Sequence, residues 1–271
     1  MNANRNYSRI NHAAVALLAS TCLLAACAER SDEERSAQHT GPAGDCLAKL
    51  DDVELTQAQQ KARGASPREQ AAAWISVGHG FVRVARTQTR PELYRHVEAC
   101  VERALDVAAG DSDALHLRGL VMMDAHRFTE ARALAHELIG RDRDDVAAWG
   151  LLSDAALELG AKDEATEAAQ RMLDLKPSLL SYGRAAHLRF LADDVPGALD
   201  LYAQAIGAGR HLKDREPSAW MMVQAALVFL HKGDVAGAEA GFDAALRELP
   251  HYKPALEGKR SVAEARAKAS L

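Results

Sequence analysis

The cysteines are the first residues of this 271-residue chain whose chemistry is informative. Four are present: Cys22 and Cys27 lie close to the amino terminus, and Cys46 and Cys100 follow later in the chain. No two of them have the C-x-x-C spacing, so the sequence does not indicate a thioredoxin-like redox motif or a zinc ribbon. The chemistry of each cysteine therefore depends on the segment that surrounds it.

The eleven histidines offer a second kind of chemistry, because imidazole is the commonest metal ligand. No two of them are four residues apart, the spacing that places two ligands on one helix face. The chain also lacks G-x-x-x-x-G-K-[ST], G-x-S-x-G and H-E-x-x-H, and Gly78-His79-Gly80 lacks the third glycine of a dinucleotide loop. We therefore predict no catalytic residues, no metal site and no cofactor, and we expect that the chain is not an enzyme.

The segment at residues 1–26 has the pattern of a secretory signal peptide. Arg5 and Arg9 form a positive start, and Ala13 to Ala26 carry no charge over 14 residues. That stretch is too short to cross roughly 30 Å of hydrocarbon, for which a helix needs about 20 residues. We therefore predict that residues 1–26 are cleaved from the mature protein.

The four residues Leu24-Ala25-Ala26-Cys27 resemble the lipobox of bacterial lipoproteins. The resemblance implies that Cys27 is acylated and that the acyl chains anchor the protein to a membrane. Ala28 stands where an aspartate tends to retain Gram-negative lipoproteins at the inner membrane, so we expect the periplasmic face of the outer membrane. The alternatives are an inner-membrane lipoprotein or, with an ordinary secretory peptide, a protein secreted to the periplasm.

Residues 27–45 are rich in charge, serine, glycine and proline, and we expect them to form a flexible lipidated tether. Cys46 and Cys100 would then meet an oxidising compartment, in which disulfides persist. A disulfide between them and two buried free thiols are both open at this point. The disulfide would tie residues 46–65, a segment that can form a helix, to the first repeat described next.

Small residues recur along the chain at the spacing of a repeated helical hairpin. One series marks the first helix of each unit: Gly78, Gly119, Ser153, Ala186 and Ala226. Another series, with spacings of 34, 34, 33 and 40 residues, marks the second helix: Val97, Ala131, Ala165, Ala198 and Ala238. A unit of about 34 residues holds two helices and two short turns, and small residues let the two backbones approach closely.

The segments Trp74-x2-Val77-Gly78-x2-Phe81 and Trp149-x2-Leu152-Ser153-x2-Ala156 fit the W-x2-L-G-x2-Y pattern. On these motifs the chain resembles tetratricopeptide repeat (TPR) proteins over residues 66–257. The resemblance implies an all-α fold, a right-handed superhelical solenoid of about five helical hairpins, with residues 258–271 as a charged capping helix. Two irregularities interrupt the spacing: about seven extra residues in the first unit and an insertion from Gly207 to Glu216.

In proteins of this family the first helix of each hairpin lines a concave groove that binds peptides. The alignment of the repeats places eight candidate residues in that groove: His79, His116, Met123, Asp154, Arg184, His187, Phe190 and Gln224. The three histidines are open to three interpretations: contact with a peptide, a solvated polar surface without a special role, or a carrier site for a small molecule or metal. An error of one residue in the alignment would rotate each side chain by about 100°.

Composition excludes one further class of function. The formal net charge is −5 without a concentrated basic stripe, so nucleic acid is not an expected partner. We expect a non-enzymatic scaffold or adaptor anchored to the bacterial envelope, which binds an unidentified protein or peptide in the groove. The alternatives are a small-molecule or metal carrier that uses the groove histidines and, less favoured, a hydrolytic or metal-dependent enzyme. The sequence does not indicate an oligomeric state.

Overall fold

The computed structural model describes residues 44–269 of the chain. The predictions for the signal peptide, for Cys27 and for the tether up to residue 43 lie outside the described residues. The described chain divides into two compact units, unit 1 ending at Ala161 and unit 2 beginning at Lys162. None of the helices in this part of the chain combines the length and apolar character that crossing a membrane requires.

The described part of unit 1 is built from six α-helices and a turn of 3-10 helix at Pro91–Leu93. The helices are α1 (Val53–Arg63), α2 (Gln70–Gln88), α3 (Tyr94–Val107), α4 (Ser112–Asp124), α5 (Phe128–Arg141) and α6 (Val146–Glu158). Each helix packs against the next one in the sequence, and α4 also contacts both α2 and α6. Unit 1 is therefore a series of helices in which α2, α4 and α6 also pack side by side.

Aspartates begin three of these helices by capping backbone N–H groups that have no partner within the helix. Asp52, Asp111 and Asp145 precede α1, α4 and α6, and each carboxylate accepts a hydrogen bond from the N–H three residues ahead, at 2.7 to 2.9 Å. Such a cap stabilises a helix by about 1 kcal/mol. The caps determine where the helices start, and hence which side chains face the core.

The small residues of the repeat lie where the helices of unit 1 approach most closely. A Cβ atom added to Gly78 would lie 2.5 Å from Cδ2 of Leu117, and one added to Gly119 would lie 2.6 Å from Cδ2 of Leu151. The missing side chain of each glycine therefore leaves room for a leucine on the first helix of the next hairpin. Ala131, the small residue of a second helix, is fully buried.

Six α-helices also build the described part of unit 2. They are α7 (Lys162–Leu175), α8 (Leu179–Leu191), α9 (Val195–Gly209), α10 (Glu216–His231), α11 (Val235–Glu248) and α12 (Lys253–Ala269). Ser178 begins α8 in a capping box with Ser181, and Asp194 and Asp234 cap α9 and α11. Helices adjacent in the sequence pack together here as well, and α10 also contacts α8 and α12.

Alanines and a few large side chains form the core of unit 2. The small residues of the repeat that lie in unit 2 are fully buried: Ala165, Ala186, Ala198, Ala226 and Ala238. Tyr202 on α9 and Phe242 on α11 fill the larger spaces between helices and are likewise buried. The predicted all-α fold of packed helical pairs is therefore confirmed.

Three boundaries differ from those expected from the sequence. The last helix begins at Lys253 and not at residue 258, with Pro254 in the first turn, where a missing N–H costs no helical hydrogen bond. The extra residues of the first repeat extend α2 to 19 residues and form the 3-10 turn before α3. The insertion before α10 contributes only residues 210–215 to the loop, because α9 continues to Gly209.

The segment before α1 is fastened to the second helix of the first hairpin. Cys46 and Cys100 form a disulfide, so the alternative of two buried free thiols is excluded. The Asp45 N–H donates a hydrogen bond to Nδ1 of His96 at 2.9 Å, and Nε2 of Gln59 donates to the carbonyl of Cys46 at 3.2 Å. The segment is thus held by α3 on one side and by α1 on the other.

Replacing Cys46 and Cys100 by serine should destabilise unit 1, because the disulfide links residues 54 positions apart. In the chain-entropy account, closing a loop of this length contributes about 4 kcal/mol to the free energy of unfolding. Urea unfolding followed by circular dichroism measures the loss. Dithiothreitol should lower the stability of the wild type by the same amount and leave the serine variant unchanged, whereas a wild-type midpoint indifferent to reductant would contradict this role.

Candidate functional site

The candidate residues lie on one layer of helices in each unit. In unit 1 this layer consists of α2, α4 and α6, and in unit 2 of α8, α10 and α12; we call each of them an A layer. A helix of the A layer packs against a second helix of a hairpin on one side and against its A-layer neighbours on its flanks. Its remaining side is available for other contacts, as on an amphipathic helix.

The four candidates in unit 1 differ in how far a partner can reach them. His79 on α2 is exposed and Asp154 on α6 is half-buried. His116 on α4 is half-buried, and its Nε2 lies 2.8 Å from Oδ2 of Asp145, the residue that caps α6. Met123 is 5% exposed and packs into the core, so the prediction that it lies in an open groove is wrong. His79 and Asp154 stay as binding candidates, whereas His116 holds α4 to the start of α6.

The four candidates in unit 2 are half-buried or buried. Arg184 and Phe190 on α8 are half-buried, and the Phe190 ring meets the ring of His231 on α10 edge to face, with 5.1 Å between centroids. His187 and Gln224 are only 3% and 4% exposed. The prediction that these two residues contact a ligand in an open groove is therefore also wrong.

His187 and Gln224 are buried because they lie in the seam between α8 and α10. Gly183, one turn before His187, lets Met221 pack against α8, since an added Cβ would lie 2.6 Å from Cε of Met221. Gln224 follows Met221 by three residues and so lies on the same side of α10. Burial lowers the pKa of His187 to about 4, and Nε2 of Gln224 has no hydrogen-bond partner among the described residues.

A carboxyl at the end of α4 titrates far from its ordinary range. Burial raises the pKa of the half-buried Asp124 from 3.8 to about 7, and the guanidinium of Arg86 opposes this shift only in part. No hydrogen-bond donor of residues 44–269 reaches the Asp124 carboxylate. A positively charged or hydrogen-bond-donating group placed beside Asp124 would therefore stabilise its charged form.

Other groups on the A layer of unit 1 share this environment. Desolvation, followed by the charge of Arg86, lowers the pKa of His79, and Asp113 opposes the shift. Desolvation and then the neighbouring Asp154 raise the pKa of Glu158. The A layer of unit 1 thus combines an exposed imidazole with two carboxyls, those of Asp124 and Glu158, whose pKa values are raised.

Reasoning from the sequence did not identify Asp124 and Glu158. Both lie beside candidates that the alignment did name: Asp124 directly follows Met123, and Glu158 follows Asp154 by four residues. Extending the candidate set to the ends of these helices would have included both residues. It would not have found their desolvation, which depends on the surrounding helices.

The three candidate histidines have different surroundings. His79 is exposed on α2, His116 is bonded to Asp145, and His187 is enclosed between α8 and α10. Across residues 44–269, no group of three His, Cys, Asp or Glu side chains is arranged to hold a metal ion. The interpretation of these histidines as a metal-carrier site therefore has no geometric support in that part of the chain.

Hairpins of paired helices, repeated along the chain, define a helical-repeat protein. Residues 116–179 match the sequence profile of the tetratricopeptide repeat. A thermophilic TPR protein from Thermus thermophilus is similar in structure, with a TM-score of 0.57 and 18% identity, over 70% of this chain and 99% of that one. Residues 116–179 are therefore similar to tetratricopeptide repeats, and the fold of the chain is similar to that of this solved TPR protein.

Two further solved structures are similar at lower TM-scores. YrrB, described as a TPR protein with an unusual peptide-binding site, has a TM-score of 0.42 and 15% identity over 76% of this chain and 99% of its own. PilW, described as a widely conserved type IV pilus biogenesis factor, has a TM-score of 0.47 and 14% identity over 76% of this chain and 96% of its own. A search of curated proteins found no significant match.

Replacing Asp124 by asparagine should stabilise unit 1 at neutral pH. Because folding raises the pKa of Asp124 from 3.8 to about 7, the folded chain binds the proton more tightly than the unfolded chain, and stability falls as pH rises through that interval. The asparagine variant escapes this loss, so its advantage should grow across the interval to at most ~4 kcal/mol. Urea unfolding at several pH values measures it.

The matched control for this prediction is Asp106→Asn on α3, which removes an exposed carboxylate of the same unit. It should leave the pH dependence of unfolding as in the wild type. If the two variants follow the same stability curve, burial does not set the titration of Asp124.

Proposed function

We propose that this chain is a TPR protein and acts as a non-enzymatic scaffold, anchored to the bacterial envelope, that binds a peptide or a protein at its A layers. Stacked TPR repeats form the extended concave surfaces that proteins of this kind use for binding. Neighbouring first helices present a continuous surface with a regular spacing, which suits an extended or helical peptide. The residues that support this proposal most strongly lie in unit 1.

The observation that carries the proposal is the half-buried carboxyl of Asp124, whose charge Arg86 compensates only in part. A half-buried carboxyl whose pKa is raised to about 7 lowers the stability of the free protein at neutral pH. A Lys or Arg side chain directed at Asp124 would replace the lost solvation through a charge-assisted hydrogen bond. We therefore expect a partner segment with at least one cationic side chain.

The surroundings of Asp124 fit a peptide better than an isolated ion. Leu120 on α4 and Leu157 on α6 are half-buried and offer apolar contact on the same layer. On the same layer, the half-buried Asp154 and the exposed His79 add polar groups that can receive or donate hydrogen bonds. A surface that is apolar with a few placed polar groups is typical of peptide recognition.

The lipid anchor belongs to the same proposal. Cys27, at the end of the lipobox-like sequence, would carry the acyl chains, and Ala28 after it favours the periplasmic face of the outer membrane. The disulfide between Cys46 and Cys100 suits such an oxidising compartment. Anchoring would hold the A layers within reach of partners in the envelope.

A photo-crosslinking residue at position 79 should capture the partner in cells, because His79 is exposed on the A layer of unit 1 and, like Asp124, feels the charge of Arg86. The same residue at position 133, where Ala133 is exposed on α5 outside the A layer, serves as the control. Mass spectrometry identifies what is crosslinked. A protein captured equally from both positions would not support binding at the A layer.

The affinity of the captured partner for the Asp124→Asn variant provides the quantitative test. Loss of a charge-assisted contact should weaken binding roughly 10-fold or more, while Asp106→Asn on α3 should bind as the wild type does. Isothermal titration measures both. Because Asp124→Asn is expected to stabilise the fold, weaker binding would not reflect unfolding. Unchanged affinity would exclude Asp124 from the interface and remove the main support for the proposal.

Replacing Cys27 by alanine should move the protein from the membrane fraction to the soluble fraction of lysed cells, because the thiol that receives the acyl chains is lost. Cys22→Ala is the matched control: it removes another cysteine of the amino-terminal segment and should leave the protein in the membrane fraction. Immunoblots of the two fractions measure the distribution. A Cys27→Ala protein that stays with the membranes would reject lipidation as the anchor.

A further inference from the structure

One end of unit 2 brings together the start of α8, the loop at residues 210–215, the start of α10 and the start of α12. Leu179, the first residue of α8, packs against Gly209, the last residue of α9. The hydroxyl of Tyr252, directly before α12, donates a hydrogen bond to Oε1 of Glu216, the first residue of α10, at 2.8 Å. These contacts join the four segments into one surface.

Exposed leucines lie at this end. Leu180 in the first turn of α8 is 49% exposed, Leu212 in the loop 43%, and Leu256 in the first turn of α12 38%. Within the described part of unit 2 they are the only large apolar side chains that are exposed. In the described part of unit 2, exposed large apolar side chains are therefore confined to one end. Packing of the helices does not require these side chains to be exposed.

Exposed basic side chains surround these leucines. Arg210 and Lys213 in the loop and Lys253 at the start of α12 are exposed, and none of them is paired with an acid among residues 44–269. Asp214, the acid within the loop, accepts a hydrogen bond from the first N–H of α10 at 3.0 Å. Arg215 is engaged with a carboxylate of α11 at 3.6 Å. We call Leu180, Leu212, Leu256, Arg210, Lys213 and Lys253 the basic end.

The turns at the opposite end of unit 2 have a different composition. The turns between α8 and α9 and between α10 and α11 carry Asp193, Asp194 and Asp234, and the nearby Lys232 lies 3.5 Å from Asp193. None of the described residues in these turns is an exposed large apolar side chain. In these turns the aspartates are accompanied by basic partners, Arg189 and Lys232, whereas the exposed leucines and the unpaired cations lie at the basic end.

We propose that the basic end is a membrane-contacting surface that binds anionic phospholipid headgroups. Its cations match the charge of the headgroups, and its three leucines can enter the apolar region beneath them. They arise from two helix starts and a loop, and a lipid surface accommodates such separate anchors because it needs no matching shape. Each basic residue near an anionic surface strengthens partition about fivefold. This inference concerns unit 2 and does not depend on peptide binding in unit 1.

The contact would act together with the proposed anchor at Cys27. A surface with three cations and three leucines binds weakly by itself, and attachment to the same membrane would raise its effective concentration. The expected result is a unit 2 that rests on the membrane with its basic end. The test must therefore separate this contact from the acyl chains.

Vesicle flotation of the mature chain from residue 27, carrying Cys27→Ala, tests the proposal without the anchor and without the apolar stretch of the signal peptide. Vesicles of phosphatidylcholine alone and of equal parts phosphatidylcholine and phosphatidylglycerol serve as probes. In this background, Lys213→Glu with Lys253→Glu should reduce partition to the anionic vesicles at least ~10-fold, and Leu212→Ser should also reduce it. Raising the salt concentration should weaken the partition of the parent protein.

The matched control is Lys162→Glu with Lys268→Glu, which makes the same charge change at exposed positions outside the basic end. It should leave partition unchanged, and circular dichroism verifies that each variant is folded. Equal flotation of the test and control variants would overturn the lipid assignment and favour an acidic protein as the occupant of this surface. Equal binding to neutral and anionic vesicles would overturn it as well. Either failure leaves the role of Asp124 in unit 1 untouched.

Discussion

The close approach of helices through residues without large side chains is the constraint on which the rest of the structure depends. In unit 1, Gly78 and Gly119 leave the space that leucines of the following helices occupy, and in unit 2 Gly183 does the same for Met221. Helices packed this closely cannot rotate or slide without overlap. The contacts that form the core therefore also decide which side chains of the A layers face outward.

Packing of this kind places some polar groups where water cannot fully solvate them. Asp124 has its pKa raised by burial, and Nε2 of Gln224 has no hydrogen-bond partner among the described residues, so both lower the stability of the free protein. The two differ in accessibility, because Asp124 is half-buried while Gln224 is enclosed between α8 and α10. A partner can supply the missing interaction at Asp124 without moving any helix, which is why we infer binding in unit 1.

The fold could be predicted from the sequence further than the site could. Regular spacing of small residues requires paired helices, and Ala198 and Ala238 are buried as that spacing demands. The same alignment correctly predicted that His79 and Asp154 are accessible. It also predicted that His187 lies in an open groove, whereas His187 is buried between α8 and α10. Whether a side chain at a given repeat position is open depends on the neighbouring helix, and one sequence does not contain that information.

The loop at residues 210–215 is the part of unit 2 that helix packing explains least. Other connections between its helices are tight turns, whereas this one carries exposed Leu212 between basic residues. Its base is held by the hydrogen bond from Tyr252 to the buried Glu216 and by the Ser218 hydroxyl, which donates to the Gly209 carbonyl at 3.4 Å. Because both ends of the loop are fixed to packed helices, the exposure of its side chains follows from the fold, and a surface that is held in this way loses little entropy when it meets a membrane.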